Sequence, residues 1–118
     1  ALRWLVARGY SPEEGSKRIA LIAPHRRTVI KIPRCDLGIA ANHREASAFR
    51  LHQRGQSYVP IASCRIFYAD PEIGLPMLMM RYVTHARLEI KDLPDWSYSV
   101  DCFQIGFDRQ NRLVAYDL

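Results

Sequence analysis

Lys31 is the residue whose position most demands a chemical explanation. It interrupts the apolar run Thr28-Val29-Ile30-Lys31-Ile32. Strand alternation there puts Val29 and Lys31 on one face and Thr28, Ile30 and Ile32 on the other. A buried ammonium is tolerated only when paired or hydrogen-bonded, so an anion must lie close by. Glu45 is the nearest candidate. Ala41, Ala48 and Phe49 stand at i−4, i+3 and i+4 from it, which leaves its carboxylate in an apolar helical stripe with no cation at helical spacing. The expectation is a direct ion pair between a strand and a helix. Two readings of that pair stand side by side: a structural bridge, or a clamp that holds phosphates and would also need space and a glycine-rich cover.

The elements that must position the pair follow from periodicity and punctuation. Leu2 to Arg8 reads as a short helix stopped by Gly9, and residues 11–16 as a loop. Arg18 to Ala23 and Thr28 to Ile32 read as two strands of a hairpin turned at Pro24-His25-Arg26-Arg27. Residues 33–38 connect to a helix over Ile39 to Arg54, closed by Gly55. A second hairpin is expected from Ala62–Ala69 and Leu75–Val83 around a turn at 70–74. Residues 84–100 read as an irregular, hinge-like linker. A third hairpin is expected within 101–118, from Cys102 to Phe107 and Arg112 to Tyr116, with Asn111 suited to a left-handed turn position. The fold class is therefore α+β: an antiparallel sheet of about five to seven strands with one main helix, in a single domain over 1–118.

Charge is unevenly distributed. Residues 1–65 carry 12 Lys/Arg against 4 Asp/Glu, whereas residues 66–118 carry 5 against 8, so the two parts differ as +8 to −3. Most of the excess is arginine, the side chain suited to bidentate contact with phosphate or carboxylate. Arg18, Arg26, Arg27, Arg44 and Arg54 are the candidate partner-binding residues, and the partner expected is an acidic protein or a nucleic-acid-containing complex. A merely solvated face is the alternative.

The three cysteines, Cys35, Cys64 and Cys102, form no close pair, and the four histidines show no ligand spacing. Neither a disulfide framework nor a metal site is expected, and a reducing, cytoplasmic setting follows. No apolar run approaches the length of a membrane span.

Taken in order, these patterns resemble the small lobe of the protein-kinase-like superfamily. Thr28-Val29-Ile30-Lys31 looks like the V-A-I-K strand, and a strand lysine answered by a helix glutamate is the pairing kinases use to hold nucleotide phosphates. Leu78-Met79-Met80-Arg81-Tyr82-Val83 looks like the strand running into the hinge between lobes. Val114-Ala115-Tyr116-Asp117 looks like the strand into the D-F-G motif, with Asp117 as the metal-binding aspartate. Gln104, 13 residues before Asp117, stands near the position of the catalytic-loop asparagine. The resemblance implies a kinase-small-lobe-like fold and, under one reading, a nucleotide site of Lys31, Glu45, Gln104 and Asp117 with ATP and magnesium.

Departures from the family pattern argue against catalysis. Five residues before Gln104, where the family places its base, stands Ser99, which is no carboxylate. Only 20 residues separate Val83 from Gln104, too few for a substrate-binding lobe. The expectation is a degenerate, non-catalytic kinase-like module, without a cofactor, that binds a protein or ribonucleoprotein partner through its basic face. A phage-type inhibitor is one such protein. The alternative is a nucleotide-binding phosphotransferase remnant.

Overall fold

The computed structural model describes residues 2–99 and 104–116. Cys102 and Asp117 lie outside the described residues, as does the side chain of Ser99. A short helix, α1 (Leu2–Ala7), precedes β1 (Ser11–Glu14), β2 (Arg18–Ala23) and β3 (Thr28–Pro33). The long helix α2 (Asp36–Gln53) follows, then β4 (Cys64–Phe67), β5 (Met77–Arg81), β6 (Thr84–His85), β7 (Ile105–Phe107) and β8 (Leu113–Ala115). The class is α+β with antiparallel strands and one main helix, as expected. The eight strands among the described residues divide between two sheets, with orders β1-β2-β3-β5-β4 and β6-β7-β8.

Two differences from the sequence reading have local causes. Residues 11–16 were expected as a loop, yet Ser11–Glu14 pairs antiparallel with β2, Ser11 opposite Ile22 and Glu14 opposite Ile19. A Ser-Pro-Glu-Glu stretch has little strand preference of its own, so the backbone ladder along β2 makes the strand. It lies at the outer edge of the sheet, where a proline is tolerated, and all four residues are exposed. Within the expected linker, Thr84 and His85 pair with Phe107 and Gly106. Gly106 permits this: a Cβ there would collide with the Val83 side chain and the Thr84 carbonyl.

The helix α2 begins three residues earlier than periodicity indicates. Cys35 is its extended N-cap and gives no side-chain cap, while Asp36 in the first turn and Arg50 and His52 in the last suit the helix dipole. Gly38 lies in that first turn because a Cβ would run into the Lys17 carbonyl of the β1–β2 turn. The same carbonyl accepts the Arg34 N–H at 2.8 Å, and Arg34 Nη1 donates to the Gly15 carbonyl at 2.9 Å. The turn is thus bound to the connector and the start of α2. At the other end Gly55, at φ 69°, stops the helix as expected.

β3 is the central strand of the larger sheet and separates two apolar layers. Ile30 packs with Tyr10, Leu21 and Ala23 on one side. Val29 packs with Met80, Ala62 and Val114 on the other. Val114 belongs to β8, so the smaller sheet covers the face that also carries Lys31. Ala48 and Phe49 of α2 join Ile61, Ile105 and Ala115 in a third cluster. A parallel bridge between Ile61, in the segment leading into β4, and Ala115 of β8 ties that segment to the smaller sheet. In the last hairpin Asn111 takes φ 59°, the left-handed position its sequence context suggested.

No described helix is long and apolar enough to cross a membrane.

Candidate functional site

Lys31 sits between Ala20 of β2 and Leu78 of β5, which places it mid-sheet and 7% exposed. Its Nζ donates to both carboxylate oxygens of Glu45, at 3.2 and 3.1 Å, and the Tyr116 carbonyl lies 3.4 Å away. The expected strand-to-helix pair is therefore present. Glu45, 3% exposed, holds a second cation that the sequence reading did not assign to it: Arg18 Nη2 approaches Oε1 at 2.8 Å.

Arg18 is accordingly a correction. It was expected on the outer basic face, whereas its guanidinium is folded inward, donating to Glu45 and, through Nη1, to Asn42 Oδ1 at 3.1 Å. Strand register is the reason. Ala20 opposes Lys31, and Arg18, two residues before Ala20, emerges on the same face. Counting back from the Pro24–Arg27 turn would have revealed this.

Asn42 was not singled out from sequence. It is fully buried, and its Nδ2 donates to the Lys31 carbonyl at 3.2 Å and the Pro76 carbonyl at 2.9 Å. Three hydrogen bonds on one buried amide satisfy nearly all of its capacity and fix α2 against β3 and the segment leading into β5.

Gln104 lies on the route from β7 to the ion pair. Its carbonyl accepts the Tyr116 N–H at 3.1 Å, and the Tyr116 carbonyl in turn faces Lys31. Asp117, the fourth residue of the nucleotide reading, lies outside the described residues.

Beside this cluster a pocket of about 460 Å³ opens under the β1–β2 turn, with Lys17, Arg18, Lys31 and Arg44 on its walls and Glu13 and Glu14 among its lining. Arg44 therefore belongs to the pocket side. Arg26 and Arg27 lie beyond the opposite end of β2 from Arg18, and Arg54 caps the far end of α2; all three are exposed. The five arginines named from sequence do not share one face. Arg27 occupies the left-handed region at φ 55°, and Arg26 extends over the Tyr10 ring with its guanidinium carbon 6.0 Å from the centroid.

Cys64 lies behind the ion pair, its Sγ donating to the Glu45 backbone carbonyl at 3.5 Å. Burial, reinforced by the Glu45 charge, pushes its thiol up to about 12 against the opposing pull of Lys31 and Arg50. The thiol is consequently protonated and a poor nucleophile at neutral pH. At the β7–β8 turn, burial acts to raise the Asp108 carboxyl, but hydrogen bonds from the Arg112 backbone and side chain and the Gln110 N–H outweigh it and hold it below the ordinary range. Among the described residues no group of three His, Cys, Asp or Glu side chains is placed to hold a metal ion.

No protein-family model matches the chain, and neither a curated protein nor a solved structure matches it.

Proposed function

We propose that the chain is a non-catalytic, kinase-like interaction module, working in the cytoplasm and binding an acidic protein or a nucleic-acid-containing complex through exposed arginines, in the manner of a phage-type inhibitor. The observation that carries this reading is the division among its cations. Lys31 and Arg18 turn inward onto Glu45, while Arg26, Arg27 and Arg54 are exposed and make no ion pair among the described residues. Inward cations hold the fold together; outward ones remain available to a polyanion.

Salt and charge reversal test the proposal together. Retention on immobilised heparin should fall steeply as salt rises, and Arg26→Glu with Arg27→Glu should elute earlier than the parent chain. Binding that survives high salt and both reversals overturns the reading. So does phosphate transfer from Mg-ATP to a protein acceptor that Lys31→Ala abolishes.

The nucleotide reading retains one supporting observation, the pocket beside Lys31. Under it Lys31, Glu45, Gln104 and Asp117 would hold ATP and magnesium, the metal supplying charge neutralisation at the phosphates. The described residues fit a triphosphate poorly. Glu13 and Glu14 face the same pocket, the buried cations already share the Glu45 carboxylate, and Gly15 is the only glycine in the covering turn. Titration of labelled ATP, with and without Mg²⁺, decides it: saturable binding lost in Lys31→Ala would favour this second reading.

A further inference from the structure

The strongest concentration of unneutralised charge lies away from the ion pair and includes arginines that the sequence reading passed over. A cavity of about 610 Å³ between the second half of α2 and strands β4 and β5 is lined by Arg50, Arg65 and Arg81. Arg81 also lines a neighbouring cavity of about 540 Å³ with Arg109 and Arg112. A third, of about 220 Å³, again shares Arg81 and Arg109 and adds Arg27 and Tyr82. All three cavities border on Arg81, so they adjoin there as one grooved surface.

Six arginines line these cavities, Arg50 from α2 and Arg65 and Arg81 from the sheet face that also carries Met79 and Thr28, against one lining carboxylate, Asp108, which is already bound by Arg112 through Nε at 2.9 Å. Arg27, Arg50, Arg65, Arg81 and Arg109 make no ion pair among the described residues. Arg65 directs its Nη2 only at the Met79 sulfur, at 3.9 Å, and Arg50 its Nη2 at the Ser47 hydroxyl, at 3.2 Å. Like charges gathered in a concave surface raise the local potential and favour an extended anion over a single ion.

We infer that this groove binds single-stranded nucleic acid, its arginines on successive phosphates and the Tyr82 ring beneath a base. The inference deepens the basic-partner reading above and rests on it. One feature favours a nucleic-acid strand over an acidic peptide. Tyr82, 36% exposed, lies among Arg27, Arg81 and Arg109, and an aromatic face interleaved with guanidinium groups suits a stacked base as well as a phosphate.

Fluorescence anisotropy with a labelled uridylate dodecamer and its thymidylate counterpart tests the inference. Engagement of about three to five phosphates predicts a slope of log K against log salt of roughly −2 to −3.5. Arg65→Gln with Arg81→Gln should weaken binding at least about tenfold, whereas Arg26→Gln, Arg44→Gln and Arg54→Gln together should change it less than about threefold. Tyr82→Ala should weaken the oligonucleotide several-fold while leaving inorganic polyphosphate, which has no bases, unchanged. Thermal melts of each variant separate loss of binding from loss of fold. If the parent chain binds neither the oligonucleotide nor polyglutamate, the groove and the basic-partner reading both fall. If it binds the oligonucleotide but only the outer arginines matter, or if polyglutamate binds more tightly, the groove inference is overturned and the broader reading stands.

Discussion

At the centre of the larger sheet two cations converge on one carboxylate; along the groove between α2 and β4–β5 several cations gather with almost none. Lys31 and Arg18 are buried or nearly so, with side-chain exposures of 9% and 14%, and Glu45 answers both from 4%. Arg50, Arg65 and Arg81 are all exposed. The same charge therefore has opposite consequences. In a desolvated setting an unpaired ion is costly and the pair becomes structural. In water, isolated guanidinium groups contribute little to stability and keep their charge for an incoming anion. Composition alone cannot distinguish the two roles, because what separates them is where strand register and helix packing point each side chain.

The sharpest way to break the comparison is to remove the shared carboxylate. Glu45→Leu strands two cations and should destabilise the fold by about 3–5 kcal/mol, while Lys31→Met leaves Glu45 with Arg18 and should cost less, about 3 kcal/mol. Urea unfolding of both variants checks the order. A larger loss for Lys31→Met would mean that Arg18 contributes little to the cluster.

Gly38→Ala acts on the same region through sterics. Its methyl would meet the Lys17 carbonyl, so the β1–β2 turn and α2 must separate, at about 1–3 kcal/mol. Binding at the distant groove should not change. A melting temperature equal to that of the parent chain would show that the turn yields freely.

Cys64 provides a pH reading from behind the ion pair. Its folded-state thiol is pushed up to about 12, above an ordinary cysteine near 9. The folded chain therefore holds this proton more tightly than the unfolded one. That contribution is fully present below about pH 9 and declines as pH rises toward 12. In a Cys102→Ser background, a disulfide reagent at pH 8 should modify exposed Cys35 quickly and the half-buried, protonated Cys64 much more slowly. Equal rates for both would contradict the burial.

The smallest effect belongs to the outer surface. Arg26→Glu with Arg27→Glu should shift stability by less than about 1 kcal/mol, the loss of the Arg26 contact with Tyr10 included, although the same variant should weaken polyanion binding. A large drop in melting temperature would move these residues into the structural class.

Much of this was legible in the sequence, and the parts that were not share a cause. Lys31 and Glu45 could be paired because each is a charge set in an apolar pattern, a conflict that only a partner resolves. The long helix and its Gly55 stop were visible in local chemistry. The inward turn of Arg18 depends on strand register, which residue type alone does not carry. β1 escaped because pairing with β2, and not its own residue preferences, creates it. The groove arginines at 50, 65 and 81 come from three separate elements, and no spacing in one dimension brings them together. Asn42 gave no signal beyond being an amide on a helix.

The outer strand Ser11–Glu14 bears on how copies of the chain meet one another. A sheet edge is a template on which another molecule can extend the ladder, and long, flat, apolar edges seed fibrils. This rim is four residues long, fully exposed and built of serine, proline and two glutamates. Pro12 has no N–H to offer an incoming strand, and Glu13 and Glu14 on an identical rim would repel their counterparts. The opposite rim, β4, is flanked by α2. At high concentration a stretch with little strand preference of its own thus serves as a barrier to self-polymerisation along this rim.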